Sequence, residues 1–253
     1  MQELEHWLEN IRAGNAAFRN EVGSAKLALF NLASQLLAAP RILRKAMSGT
    51  SEPESPTDLQ WPWLPRWPAL TALPLHDSRQ HAWTEYVRRA CDDIREELFR
   101  VREVFARARY DSDLNSKQWN TYYFYLHGRA NNEHLAACPR TAEVLSKVPH
   151  NGLHVCFSAI EPGGSLHPHT GPTNASLTAH LGLANCAGAR IWVSGTAADY
   201  RDDKVLIFDD SFVHWVENGG VAIRYTFMIT FWHPDLNLLE RGFLRRVLGT
   251  VRH

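Results

Sequence analysis

The stretch AIRYTFMITFW, residues 222–232, alternates with a period of two. Ile223, Tyr225, Phe227, Ile229 and Phe231 fall on one side, and Arg224, Thr226, Met228, Thr230 and Trp232 on the other. That period over this length, in a run rich in β-branched and aromatic residues, is the mark of a β-strand. One face is apolar. The other mixes hydroxyls with a guanidinium, so it looks onto something polar. Arg224 is the only charge in the strand, and burying a guanidinium alone costs several kcal/mol. It therefore needs an anion from elsewhere in the chain, a place at a barrel rim, or a ligand carboxylate held by its two-pronged geometry.

The same period recurs upstream. In SLTAHLGL, residues 176–183, Ser176, Thr178, His180 and Gly182 alternate with Leu177, Ala179, Leu181 and Leu183. In a barrel, such an aliphatic face packs under helices while the polar face lines a cavity. Short strand-like runs occupy 153–161, 165–170, 176–184, 190–194, 204–208, 212–217 and 221–232, punctuated by EPGG, TGPTN, AGA, DD and NGG. WNTYYFYLHG at 119–128 adds an aromatic strand, and Pro139 opens a short helix over 139–147. Many short strands at this spacing predict a sandwich or a jelly-roll barrel.

The N-terminal part is helical in pattern. Leu4, Trp7, Leu8, Ile11, Phe18 and Val22 recur at helical intervals, and 25–39 continue in that style until Pro40 ends or kinks the run. Arg41, Arg44 and Lys45 follow. The pattern fits a helical hairpin packed on the main domain, or a surface that meets lipid or a partner protein. SGTSEPESPTD at 48–58 is a polar linker, and WPWLPRWPALTALPL at 61–75 is an extended strap over an apolar surface or a peptide-recognition ligand. Asp77 and Gln80 suggest a capping box for a long helix. Its apolar stripe is Trp83, Val87, Ala90, Ile94, Leu98, Val101 and Phe105. The division expected is a helical extension with linker over 1–74, a β domain over 75–240 and a basic tail over 241–253.

Composition narrows the partners. The chain has 253 residues, 27 basic and 27 acidic, with 45% hydrophobic and 21% charged residues. That supports a sizeable core and gives no basic balance for nucleic acid. Cys91, Cys138, Cys156 and Cys186 form no CxxC pair, as expected of buried thiols in a reducing compartment. MQELEHWLEN lacks the apolar core of a signal peptide, and LALFNLASQLLAA at 27–39 is too short and polar to span a bilayer. A cytoplasmic location is the expectation.

The chemistry concentrates in SLHPHTGPTNASLTAHLG, residues 165–182, which holds His167, His169 and His180. His169 is followed by Thr170 and Gly171, where a metal site often supplies a carboxylate. A further histidine, His214, lies in KVLIFDDSFVHWVENGG. Read singly, each fits a structural role as well as a ligand. Together, two histidines on neighbouring strands of a small barrel, with Arg224 ten residues on, suit an iron(II) site beside a pocket for a dicarboxylate. No cysteine accompanies them, which disfavours soft metals.

HTGPTN at 169–174, HLGL at 180–183, KVLIFDDSFVH at 204–214, Arg224 and WHP at 232–234 together resemble the aspartyl/asparaginyl β-hydroxylase family. The resemblance runs in order and spacing from about residue 75 to 240. It implies a mainly β fold with flanking helices, a double-stranded β-helix core and an N-terminal helical extension. It also implies an oxygenase that couples oxidation of 2-oxoglutarate by dioxygen to hydroxylation of an unactivated C–H. Under it His169 and His214 hold iron(II), Arg224 and Ser158 hold the distal carboxylate of 2-oxoglutarate, and His180 lies near its chelating end. Gly171 stands where related oxygenases place a third, carboxylate ligand, a gap this family shares. Asp210 is then the candidate to hold a water in that position, although Asp209–Asp210–Ser211 would form a turn in any case. His167, two residues from His169, competes with it for the metal.

The animal member has two arginines where this chain has Ser176 and Thr178, so the substrate pocket should not favour an acidic side chain. The expected substrate is an amino acid, peptide or carrier-bound intermediate. A halogenase, a lipid acyl-chain hydroxylase with membrane association, and a catalytically inert interaction module are the alternatives.

Overall fold

The structure is a computed structural model that describes residues 2–48, 59–107 and 118–248. Two long helices come first, α1 (Gln2–Val22) and α2 (Ser24–Ser48). Gly23, with φ +86°, makes the bend between them, a conformation that favours glycine. Strand β1 (Leu75–His76), helices α3 (Trp83–Arg89) and α4 (Cys91–Val101), and strands β2 (Ala106–Arg107), β3 (Trp119–Leu126) and β4 (Arg129–Ala130) follow. After α5 (Asn132–Ala137) and α6 (Pro139–Lys147) come β5 (His150–Ile160), β6 (Ser165–His169), β7 (Ser176–Ala184) and β8 (Ala189–Val193). The chain closes with β9 (Thr196–Asp199), β10 (Val205–Phe208), β11 (His214–Asn218), β12 (Arg224–Trp232) and α7 (Leu238–Leu248).

The strands form two antiparallel sheets. The larger runs β1-β10-β7-β12-β5-β3-β2 with β4 beside β3, and the smaller runs β6-β11-β8-β9. From β5 onward the chain crosses between sheets: large, small, large, two strands small, large, small, large. This winding is the double-stranded β-helix that the resemblance implies, a jelly roll of the kind the strand spacing predicts, with N-terminal helices laid against it.

The alternation in β7 and β12 positions the layers. Leu181, Leu183, Tyr225, Phe227 and Ile229 point outward into a cluster with Val87, Ile94 and Leu98 of the covering helices and Val144 and Leu145 of α6. Their even-numbered neighbours therefore face the space between the sheets. There a second apolar cluster, including Trp119, Ile160, Ile191, Val193, Phe212 and Val216, closes one end. The strap from residue 61 is extended as expected. It buries Leu64, Trp67 and Leu70 with Phe30 of α2 and Leu244 and Leu248 of α7.

Three local expectations need correction. Pro40 does not end the second helix: α2 continues to Ser48, with Pro40 on the exposed side. The carbonyl that proline leaves unpaired can turn to solvent there. The long helix from Asp77 is divided. Asp77 caps a single 3-10 turn, Ser78–Gln80, by accepting from the Arg79 amide, and α3 and α4 part at Ala90, with φ −86° and ψ 5°. The apolar stripe runs on across the break, so each half meets the twisted sheet at its own angle. Residues read as a basic tail form α7 as far as Leu248. The linker at 49–58 lies outside the described residues.

Candidate active site

His169 ends β6 and His214 begins β11, and the two are direct partners in the antiparallel register. Their ring centroids lie 4.1 Å apart. In each ring Nδ1 bonds a backbone carbonyl two residues earlier, His167 O at 2.7 Å and Phe212 O at 2.8 Å. A carbonyl oxygen only accepts, so Nδ1 carries the proton and Nε2 is left with a bare lone pair. Burial holds both imidazoles below the ordinary histidine range, His214 furthest, with the neighbouring His169 adding to the effect. Two neutral rings with matched tautomers are the donor pair a metal requires. His167 does not compete. Its ring packs 4.3 Å from that of Trp7 on α1.

Among the described residues no three His, Cys, Asp or Glu side chains converge on a metal position. Gly171 explains why. A Cβ there would lie 2.5 Å from Asp210 Oδ1, so no side chain fits at 171 while Asp210 holds its place. The Gly171 amide donates to the Asp210 carbonyl at 2.6 Å, tying the two loops together. Asp210 Oδ2 accepts from Thr178 Oγ1 at 3.0 Å, while the buried Oδ1 has no protein partner. Burial raises this carboxyl to about 7. The residues fit a metal with two protein nitrogens and a carboxylate waiting just beyond.

The inward-facing residues of the large sheet build the rest. Register places Thr121, Ser158, Thr226 and Gly182 in one cross-strand row, with Cys156, Met228 and His180 in the next. Arg224 begins β12 opposite Ile160 and is 1% exposed. Its Nη2 approaches Ser158 Oγ at 3.4 Å, and its Nε and Nη1 have no protein partner. Of the alternatives open to it, the internal salt bridge is not found among the described residues. Ser158 Oγ also accepts from Trp119 Nε1 at 2.9 Å. His180 Nδ1 and the Tyr200 hydroxyl share a hydrogen bond of 2.9 Å, and His180 Nε2 is buried without a protein partner. Burial, with the charge of Arg224 behind it, pushes His180 down to about 3, so its ring is neutral. The Tyr200 ring lies 4.8 Å from the Arg224 guanidinium. Buried polar atoms are normally paired. Here Arg224, His180 and Thr226 leave theirs open on the inner face of two neighbouring strands.

A small open cleft lies at Asp210. Ser176, Thr230, His127 and His154 give it polar groups, and Leu153, Pro172 and Leu248 an apolar wall. Ser176 lines it as expected, although its hydroxyl already bonds Asn151 and the Phe231 carbonyl. Thr178 departs from the expectation. Its hydroxyl is committed to Asp210 and it does not line the cleft.

Tyr200 and Trp119 escaped the sequence reading. Tyr200 is a lone aromatic in the polar turn TAADYRDDK, and its 3% exposure shows that it points inward. The strap and the residue before it also brace the site. Gln60 Nε2 donates to Asp209 Oδ2 and Ser211 Oγ, and the Trp63 indole donates to the Thr170 carbonyl.

A family model described as Aspartyl/Asparaginyl beta-hydroxylase matches residues 88–234. The human aspartyl/asparaginyl beta-hydroxylase is 35% identical over 140 residues, 53% of this chain and 18% of that protein. The mouse protein of that name is 32% identical over 186 residues, 69% of this chain and 25% of that protein. The ornithine lipid ester-linked acyl 2-hydroxylase of Rhizobium tropici is 30% identical over 174 residues, 64% of this chain and 61% of that protein. The chain thus spans a quarter or less of the two animal proteins. Matched by the family model over more than half of its length, it belongs to the aspartyl/asparaginyl β-hydroxylase family.

Proposed function

We propose that the protein is an iron(II)- and 2-oxoglutarate-dependent dioxygenase that hydroxylates an unactivated C–H of an uncharged or weakly polar substrate. One observation carries the reading. Two imidazole lone pairs and a buried guanidinium that meets no anion among the described residues are enclosed by the same β-helix. Iron bound by His169 and His214 would supply the activation of dioxygen that C–H oxidation needs. The chain's own residues do the positioning. Arg224, with Ser158 beside it, offers two N–H groups to the distal carboxylate of 2-oxoglutarate. His180, neutral and fixed by Tyr200, offers Nε2 toward the opposite end. Asp210 presents Oδ1 where a water would complete the metal's surroundings. The large apolar clusters on either side keep bulk water out of the cavity.

Among the described residues no arginine or lysine lines the cleft, which argues against an acidic substrate side chain. An amino acid, peptide or carrier-bound intermediate fits. An acyl chain is a second reading, favoured by the Leu153, Pro172 and Leu248 wall and by the R. tropici relative. The Asp210 carboxyl packed against Gly171 is a better neighbour for water than for chloride, which favours hydroxylation over the halogenase alternative. The test is anaerobic loading with iron(II) and 2-oxoglutarate, then admission of oxygen and measurement of succinate. Iron- and oxygen-dependent succinate supports the reading, and its absence across a panel of amino-acid, peptide and acyl substrates overturns it.

A further inference from the structure

Helix α2 carries two apolar faces. One buries Phe30, Ser34 and Ala38 against the strap and α7. The other points away from the body. Leu29, Leu32, Leu36, Leu43 and Met47 are each between 58% and 87% exposed. At 3.6 residues per turn these five fall in a single stripe, about 27 Å long, with exposed Ala25, Ala28, Pro40 and Ala46 alongside. Scattered exposed leucines are ordinary, but a continuous stripe on one helix marks a contact surface.

The charges on the helix itself are all of one sign. α2 has no acidic residue and four basic ones, of which Arg41 is committed to Glu240. Lys26 and Arg44 are exposed on one flank of the stripe. The packed neighbour α7 exposes Leu238 and Leu239 near its start and Arg245 and Arg246 near its end. Among the described residues no single helix is long and apolar enough to cross a membrane. An apolar stripe edged by cations, on a helix held to the body by its other face, suits the plane of a lipid interface.

We propose that α2 docks the protein on an anionic lipid surface, with the leucine stripe at the acyl–headgroup boundary and Lys26 and Arg44 among the headgroups. A second copy of the chain is the poorer occupant. A two-fold contact through this stripe would set a basic helix on a basic helix with no acid on either to pair them. This docking stands apart from the catalytic reading. It does touch the same architecture, since Leu153 and Leu248 of the cleft wall belong to the cluster that seats α2.

The test is flotation of the full chain with vesicles of phosphatidylcholine containing phosphatidylglycerol, against phosphatidylcholine alone. The protein is expected to float with the anionic vesicles, and less so as salt rises. Replacing Leu32→Gln and Leu36→Gln together should weaken partitioning by about tenfold or more, since both side chains leave the apolar layer. Replacing Lys26→Gln and Arg44→Gln should weaken it by about fivefold per cation on anionic vesicles only. All four positions are exposed, so an unchanged melting temperature checks the fold. Equal flotation with and without phosphatidylglycerol, or leucine variants that bind as the parent does, would overturn the proposal. So would a lipid-free dimer that the leucine variants split while no vesicle binding is seen.

Discussion

Glu97 and Arg224 are both ionisable side chains cut off from water, at 0% and 1% exposure, and the fold treats them in opposite ways. Glu97, on α4, accepts from the Arg140 amide, the Thr141 amide, the Thr141 hydroxyl and Arg100 Nη2. Its carboxylate caps the first turn of α6, where free amides and the helix dipole both favour negative charge. Every oxygen is satisfied from within the chain. Arg224 has one long contact to Ser158 and two N–H groups with no protein partner. A charge that is fully bonded inside the chain belongs to the frame that holds the fold. A charge left open in a cavity is set for something that arrives. The same division separates the closed Arg41–Glu240 pair, at 2.8 Å, from the open atoms of His180 and Asp210.

The division can be broken by experiment. The largest effect belongs to His169→Ala or His214→Ala. Either should remove iron-dependent succinate formation, a loss of at least about a hundredfold, with the melting temperature little changed. Activity retained in both variants would leave the histidine pair without a role. Next comes the frame. Glu97→Ala strands two amides and a hydroxyl in the α4–α6 junction and should cost about 3 kcal/mol, seen as a fall of roughly 6–10 °C in melting temperature. The fraction still folded should turn over normally. Arg224→Met then inverts that pattern. Removing an unsatisfied buried charge should leave stability level or raise it. The 2-oxoglutarate needed for half-maximal activity should rise by about tenfold to a hundredfold, as two charge-assisted hydrogen bonds are lost. If Arg224→Met melts well below the parent without 2-oxoglutarate, the guanidinium has an internal partner and the contrast with Glu97 collapses.

The frame and the site differ in how far the sequence displays them. Strands β7 and β12 announce themselves because a two-residue period fixes both element and face, and register then carries Ser158, His180 and Arg224 into one interior. α6 is marked by Pro139 at its first turn. His169 and His214 could be singled out by residue type and spacing. The continuity of α2 past Pro40 could not, because it depends on which side of the helix faces solvent. The break at Ala90 has no Gly or Pro to signal it. Tyr200 sits in a polar turn, and only the folded path brings its hydroxyl to His180. The bond between Thr178 and Asp210 spans 32 residues of chain, so alternation could place Thr178 on the inner face but not name its partner.

That bond carries the smallest effect and the finest test of the comparison. Thr178 and Ser176 sit two residues apart on the same face of β7, and both hydroxyls are bonded. Ser176 joins the frame through Asn151 and the Phe231 carbonyl, whereas Thr178 reaches Asp210, four residues before His214. Thr178→Val keeps shape and removes the side-chain donor that Asp210 has among the described residues, so the carboxylate loses its orientation while Asp209 stays anchored by Gln60 and Ser211. Stability should move by no more than about 1 kcal/mol, and iron affinity should weaken by about tenfold. Ser176→Ala should cost a similar amount in stability and leave iron affinity where it was. Equal iron affinity in both variants would mean that Asp210 is a turn residue, and the boundary between frame and site would then run between Asp210 and His214.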